Sequence, residues 1–216
     1  MGWVKQEQDS LVETFRTTDP DAPTLCEGWN VRRLLAHLVQ REHDPVARIG
    51  DSVARKPPGQ EPGLNKLTSQ ASTPQGYDAL IERFSQGAPR WSPMSWAADK
   101  FNLVEYLIHH EDIRRAGEEP AEPRDLPEAE QDAVWQQLGL LAKVRLRKSP
   151  VGVRLATPKG KSRVAKADDG VTLTGEPVEL ALWLSGRRGP AQVAVTGSPE
   201  AIDAFQAWRA HAAIEG

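Results

Sequence analysis

The sequence predicts an α+β protein, an N-terminal bundle of four helices followed by a small α/β domain, and three observations carry that prediction. Segments with helical apolar period, separated by proline- and glycine-rich connections, fill the chain up to about residue 147. From Pro150 onward, short segments of period two appear between turn residues. The change happens once, near residues 147 to 150, as expected of two segregated modules, 1–147 and 148–216.

Trp3 to Arg16 opens the chain as an amphipathic helix, because Val4, Leu11, Val12 and Phe15 recur at roughly helical spacing. Asp19-Pro20-Asp21-Ala22-Pro23 stops it. After Cys26-Glu27-Gly28-Trp29, the Asn30 side chain is placed to cap a second helix running to about His43. Pro45 then permits a kink or restart. The stretch from Lys56 to Pro74 contains Pro57, Pro58, Gly59, Pro62 and Gly63 with little periodicity, which predicts a long loop or lid. A third helix spans about Gln75 to Gln86, and Pro89 and Pro93 interrupt again. The segment from Ala98 to Ala116 is a strong helix, closed by Gly117 with Arg114 and Arg115 in its last turn. Pro120, Pro123 and Pro127 form a linker to a further helical segment, Glu128 to about Arg147, containing Val134, Leu138, Leu141 and Val144. Beyond the boundary, strands are expected at Val151 to Leu155, Val171 to Thr174 and Gln192 to Val195. Between them, Pro177 suits the first turn of a helix through Leu184, with Gly186 after its end, and Ser198-Pro199 opens a last helix to about Ala210.

Composition narrows the function. The formal net charge of -3 arises from interspersed charges of both signs, which gives no broad basic surface for nucleic acid. After Met1-Gly2-Trp3-Val4 the chain turns polar at once, and no apolar stretch reaches membrane-spanning length, so neither a signal peptide nor a membrane is expected. The single cysteine, Cys26, cannot form an internal disulfide, which fits a reducing cytoplasm. Seven tryptophans against two tyrosines read first as packing.

The chemistry concentrates on the Ala98 to Ala116 helix. At about 100° per residue, Asn102, Glu105, His109 and Asp112 fall within one face of about 80°. Phe101, Leu103, Val104, Tyr106, Leu107, Ile108 and Ile113 nearly fill the remaining directions, so the helix is expected to be buried on most sides. A polar stripe on such a helix must be hydrogen-bonded or metal-bound, since each unpaired group costs about 1–3 kcal/mol. Glu105 and His109 are four apart, a spacing that lets a carboxylate and an imidazole reach one ion, although a salt bridge or a polar core contact explains the pair equally well. His37 is the candidate third ligand, at the edge of the apolar sector formed by Val31, Leu34, Leu35 and Leu38. Two nitrogens and one carboxylate oxygen suit Zn²⁺ or a similar divalent ion, with positions left open for water or a substrate thiolate.

Two motifs in order carry a resemblance. Leu25-Cys26-Glu27-Gly28-Trp29-Asn30-Val31-Arg32-Arg33-Leu34-Leu35-Ala36-His37-Leu38 is similar to the Gly-Trp...His-Leu motif of mycothiol-dependent maleylpyruvate isomerase-like proteins, which belong to the DinB-like helical bundles. Glu105-Tyr106-Leu107-Ile108-His109-His110-Glu111-Asp112-Ile113-Arg114-Arg115-Ala116 resembles their Glu-x-x-x-His...Asp...Arg-Ala helix, in a form closest to an actinobacterial branch of unassigned reaction. Gly175 to Arg187 resembles their small α/β C-terminal domain. The resemblance implies a metal triad of His37, Glu105 and His109. It also implies an enzyme that uses a low-molecular-weight, mycothiol-like thiol in transfer or isomerisation, with the metal holding the sulfur as thiolate. The implied partners are a small-molecule thiol and an electrophilic substrate, and a homodimer is compatible with the pattern. The alternative is a non-catalytic metal- or ligand-binding module of the same fold.

The neighbouring residues divide as follows. Asp112 is the candidate catalytic carboxylate, relaying a proton, with Glu111 as the alternative relay; it either accepts a hydrogen bond from a ligating imidazole or pairs with Arg115. His110 points about 100° away from His109 and is read as a non-ligand, a supporting donor or a helix-surface residue. His43 and His211 are read as surface residues, Cys26 as packing rather than a nucleophile, and Trp29 as packing or a wall of the metal pocket. Arg41, Arg114 and Arg115 are candidates for holding the thiol's polar groups. The basic run Lys143, Arg145, Arg147 and Lys148, with Lys159 and Lys161, is read as a solvated face, with attraction of an anion as the alternative.

Overall fold

The computed structural model describes residues 2–44, 59–89, 98–117 and 119–214, with the side chains of 98–101 and 211–214 excepted. The described residues form eight helices and one four-stranded sheet, in two compact units, Met1–Pro123 and Arg124–Gly216. No described helix is long and apolar enough to cross a membrane.

The first unit contains α1 (Trp3–Thr17), α2 (Val31–His43), α3 (Pro62–Gln70), α4 (Pro74–Ser85) and α5 (Ala98–Arg114). The four longer helices make the expected bundle. The apolar spacing of α1 puts Leu11 and Phe15, four apart, fully inside, and α1 packs on α4 and α5. Phe15, Phe84 and Tyr106 join three helices edge to face, with centroids 5.9 and 5.5 Å apart. The α2 helix starts as its sequence requires, because the Asn30 side chain accepts from Arg33 N at 3.0 Å. Its buried face of Val31, Leu34, Leu35 and Leu38 leaves His37 at the edge.

The connection from α1 to α2 is itself ordered. Gly28, at φ +73, is the third residue of a turn closed by Trp29 N donating to Cys26 O at 2.9 Å. A side chain there would meet the left-handed backbone penalty that glycine avoids.

The expected loop or lid from Lys56 to Pro74 is corrected within its described part, where α3 forms. Pro62 occupies the first turn, where its missing N–H costs nothing, and Leu64, Leu67 and Ala71 supply a buried face. Arg33 fixes its start through Glu61 and Asn65, both at 2.7 Å. The expected kink at Pro45 and the interruption at Pro93 lie outside the described residues.

The second unit contains α6 (Glu128–Leu146), β1 (Val153–Ala156), β2 (Ser162–Lys166), β3 (Val171–Thr174), α7 (Pro177–Leu184), β4 (Ala194–Thr196) and α8 (Pro199–Ile214). The expectation of 1–147 and 148–216 counted α6 with the bundle. In the structure α6 packs on α7 and β2, and the units divide between Pro123 and Arg124. Helical period names a buried face, here Val134, Trp135, Leu138, Ala142 and Leu146, but not what covers it. Val144, read as part of that face, is 57% exposed.

The sheet order is β2-β1-β3-β4, with β1 and β3 parallel and both outer pairings antiparallel. The strands β1 and β3 bury alternate residues, Val153 and Leu155, Val171 and Leu173. The unanticipated β2 is an edge strand in which no residue is fully buried, so period two has no apolar half to show. Between β2 and β3 the chain crosses the start of β1. The crossing needs glycines: a Cβ on Gly170 would fall 2.1 Å from Gly152 O, and one on Gly152 would fall 2.4 Å from Ala167 O.

One buried group makes the bundle's stability pH-dependent. Glu42 is fully buried, and Tyr106 donates its hydroxyl to the carboxylate. Burial pushes the Glu42 carboxyl up to about 7, against the opposing effects of the Tyr106 hydrogen bond and the Arg41 charge. The folded form therefore holds this proton more tightly than the unfolded chain, and stability falls as pH rises from about 4.5 to about 7. Glu42→Gln should remove a fall on the order of 3 kcal/mol, seen as a flatter urea-unfolding free energy between pH 5 and 8 than the parent shows. Parallel profiles for the two proteins would refute this.

Candidate metal centre

Buried as expected on most sides, α5 must find partners for its charged residues. His109, His110, Glu111, Asp112 and Arg115 are all buried. His110 turns to α1, with Nδ1 2.7 Å from Glu7 Oε1 and Nε2 2.8 Å from Thr14 Oγ1. Both ring nitrogens are occupied there, which agrees with a non-ligand but places it in the core, not on the helix surface. Glu111 is held by Arg114 Nη1 at 2.8 Å and Arg115 Nε at 2.5 Å. Those two arginines serve the helix terminus, and Glu111 is engaged by them instead of facing a reacting group.

The opposite face of α5 carries the polar cluster. Glu105 Oε1 lies 3.5 Å from His37 Nε2 and 3.5 Å from His109 Nε2. The three donor atoms lie within 4.8 Å of one another, and the two imidazole centroids are 5.2 Å apart. Metal–nitrogen and metal–oxygen bonds of about 2.0–2.2 Å set the edge of a tetrahedron near 3.3–3.6 Å, which the two spacings from Glu105 match, and the three residues could hold one small divalent cation. His37 and Glu105 keep 20% and 30% of their side chains exposed, which leaves an approach for water or a small ligand among the described residues.

Behind the cluster, Asp112 is fully buried and its Oδ2 lies 2.8 Å from His109 Nδ1. With Nδ1–H donated to Asp112, the lone pair of Nε2 faces His37 and Glu105. The same Asp112 oxygen accepts from Cys26 Sγ at 3.2 Å, and Leu25 N donates to Asp112 O at 2.9 Å. Asp112 thus stands on the Nδ1 side of the ring, away from Glu105, in the position of a residue that orients His109. Cys26 packs against the bundle core as expected, but it also forms a second donor group with His109 and Asp112. The sequence reading did not anticipate that link; the only available signal was Cys26 lying in the same motif as Gly28-Trp29.

Arg41 supports the cluster from α2. It is 4% exposed, with Nε 3.5 Å from Glu105 Oε1 and Nη1 donating to Asn102 Oδ1 at 2.7 Å. Arg41 is therefore spent on Glu105 and Asn102. Trp29 packs on the core as expected, and its ring lies 5.2 Å from that of His37. His43 departs from the surface role expected of it: its side chain is 9% exposed, beside Glu42. The His211 side chain lies outside the described residues.

Electrostatics follow from this geometry. Burial opposes ionisation of Glu105, but hydrogen bonds from His109 and His37, with the charges of His109 and Arg41, hold its carboxyl well below the usual range. Burial likewise opposes charging of His109, yet Asp112, Cys26 and Glu105 raise it well above the ordinary histidine value. The cluster is a carboxylate between two imidazoles, a group that could hold a metal ion.

Residues 4–114 match the family model described as the mycothiol maleylpyruvate isomerase N-terminal domain. No curated protein matches the chain. Among solved structures, a histidine-to-alanine mutant of mycothiol-dependent maleylpyruvate isomerase superposes with a TM-score of 0.57 at 17% identity, covering 92% of this chain and 93% of that one. At that identity the match shows a shared fold, an α+β architecture with a DinB-like helical bundle first. The family match spans more than half of the sequence, and the chain belongs to the mycothiol maleylpyruvate isomerase N-terminal domain family.

Proposed function

We propose that this chain is a metal-dependent enzyme that uses a low-molecular-weight thiol, mycothiol or a close relative, in an isomerisation or transfer. His37, Glu105 and His109 would hold one divalent ion, and the donor set suits zinc. The observation that carries the reading is the meeting of Glu105 Oε1 with both imidazole Nε2 atoms at 3.5 Å, backed by Asp112 on His109. A bound ion would lower the pKa of the incoming thiol and hold its sulfur as the thiolate nucleophile.

The chain's own residues do the rest. Asp112 fixes the tautomer and ring angle of His109, and Cys26 and the Leu25 amide fix Asp112. Arg41 holds Glu105 in place without competing for the Nε2 atoms of the histidines. Trp29 packs against one side of the His37 ring. Asp112 is in this reading a positioning residue, since it reaches the centre only through His109. A reducing cytoplasm, which keeps thiol cofactors and Cys26 reduced, is the compartment that suits this chemistry.

Metal analysis of the purified protein tests the site. One equivalent of divalent metal is expected, lost in His37→Ala, Glu105→Ala and His109→Ala and kept in His110→Ala. Loss confined to His110→Ala would sink the assignment. Metal-loaded protein incubated with mycothiol and maleylpyruvate should give the isomerised product; thiol binding without turnover of any electrophile would instead support a binding module. Asp112→Asn should weaken metal affinity about 10–100-fold while the circular dichroism spectrum is retained. An unchanged affinity would remove Asp112 from the centre.

A further inference from the structure

We propose that the C-terminal unit binds a small oxyanion, a dianion of carboxylate or phosphate chemistry, between Arg145, Arg188 and Arg209. This goes beyond the metal centre and does not depend on it. The three arginines come from the last turn of α6, the segment after α7, and α8. They line one cavity of about 180 Å³ together with Leu184, Ser185 and Trp208.

The observations concern what these cations lack. Arg209 is 9% exposed, and its guanidinium carbon sits 3.8 Å from the centroid of the Trp183 ring; that of Arg188 lies 5.9 Å from the same ring. Stacking on an aromatic face satisfies the plane of a guanidinium but not its N–H edge. Arg188 Nε is buried without a hydrogen-bond partner. Among the described residues, no carboxylate forms an ion pair with Arg145, Arg188 or Arg209. Burial, then the neighbouring charges of Arg188 and Arg145, depress Arg209 to about 9. A buried arginine is ordinarily paired, and Arg209, with the half-buried Arg188 and the exposed Arg145 lining the same cavity, is relieved most directly by an anion. Planar guanidinium forks match the paired oxygens of carboxylate and phosphate alike. Three positive charges favour a dianion over a monoanion, and Leu184 with Trp208 offers an apolar wall to a short carbon body.

The test is titration calorimetry of the full chain with succinate and, separately, with inorganic phosphate at low ionic strength. The full chain is required, so that a carboxylate of its own that satisfied the arginines would register as absence of binding. Saturable binding at one site per chain is expected for at least one probe, and which probe binds identifies the headgroup chemistry. R188Q should weaken it about tenfold, and so should R145Q, the scale of one lost charge-assisted hydrogen bond. Arg145 is exposed, so R145Q leaves the fold intact and keeps the test independent of stability. Neither probe binding saturably, or affinities unchanged in both variants, would overturn the proposal.

Discussion

The first unit depends on a helix that is buried on nearly every side and yet carries a run of ionisable groups near its end. Each such group, left without a partner, would cost more than most single mutations do. Helix α1, the loop before α2, and α2 itself are therefore engaged at polar contacts. Glu7 and Thr14 fix α1 against His110, and Leu25 and Cys26 dock the loop before α2 onto Asp112. Arg41 ties α2 to Asn102 and Glu105. The demand for partners on α5 thereby brings His37, on α2, to the face where Glu105 and His109 wait.

This also explains what was readable from residues alone. Helical spacing gives Asn102, Glu105, His109 and Asp112 as one stripe, and the capping geometry of Asn30 gives the phase of α2. Both concern residues close in sequence. That His37 meets the stripe is a tertiary fact, and before folding it rested on resemblance between motifs. Cys26 was harder still, since its bond to Asp112 spans two elements and a lone thiol beside a turn has many explanations. The packing of α6 within the second unit and the edge strand β2 escaped for a related reason. A buried face does not name its cover, and an edge strand with no fully buried residue shows no alternation.

The second unit follows a different logic. Its sheet closes through a backbone crossing that only Gly152 and Gly170 permit, and its aromatic cluster of Trp183, Phe205 and Trp208 is overlaid by arginine. Where α5 answers each charge from within the protein, Arg188 and Arg209 of the second unit lie against the Trp183 ring, and no carboxylate among the described residues pairs with them. That contrast separates a network satisfied from within the protein from a cavity lined by arginines.

His109 belongs to two donor groups, one with His37 and Glu105 and one with Cys26 and Asp112. X-ray absorption of the zinc-loaded protein without added thiol separates them. A shell of nitrogen and oxygen alone at about 2.0–2.1 Å is expected, unchanged in Cys26→Ser. A sulfur shell near 2.3 Å that disappears in Cys26→Ser would place the ion on Cys26, His109 and Asp112, and would contradict the centre assigned to His37, Glu105 and His109.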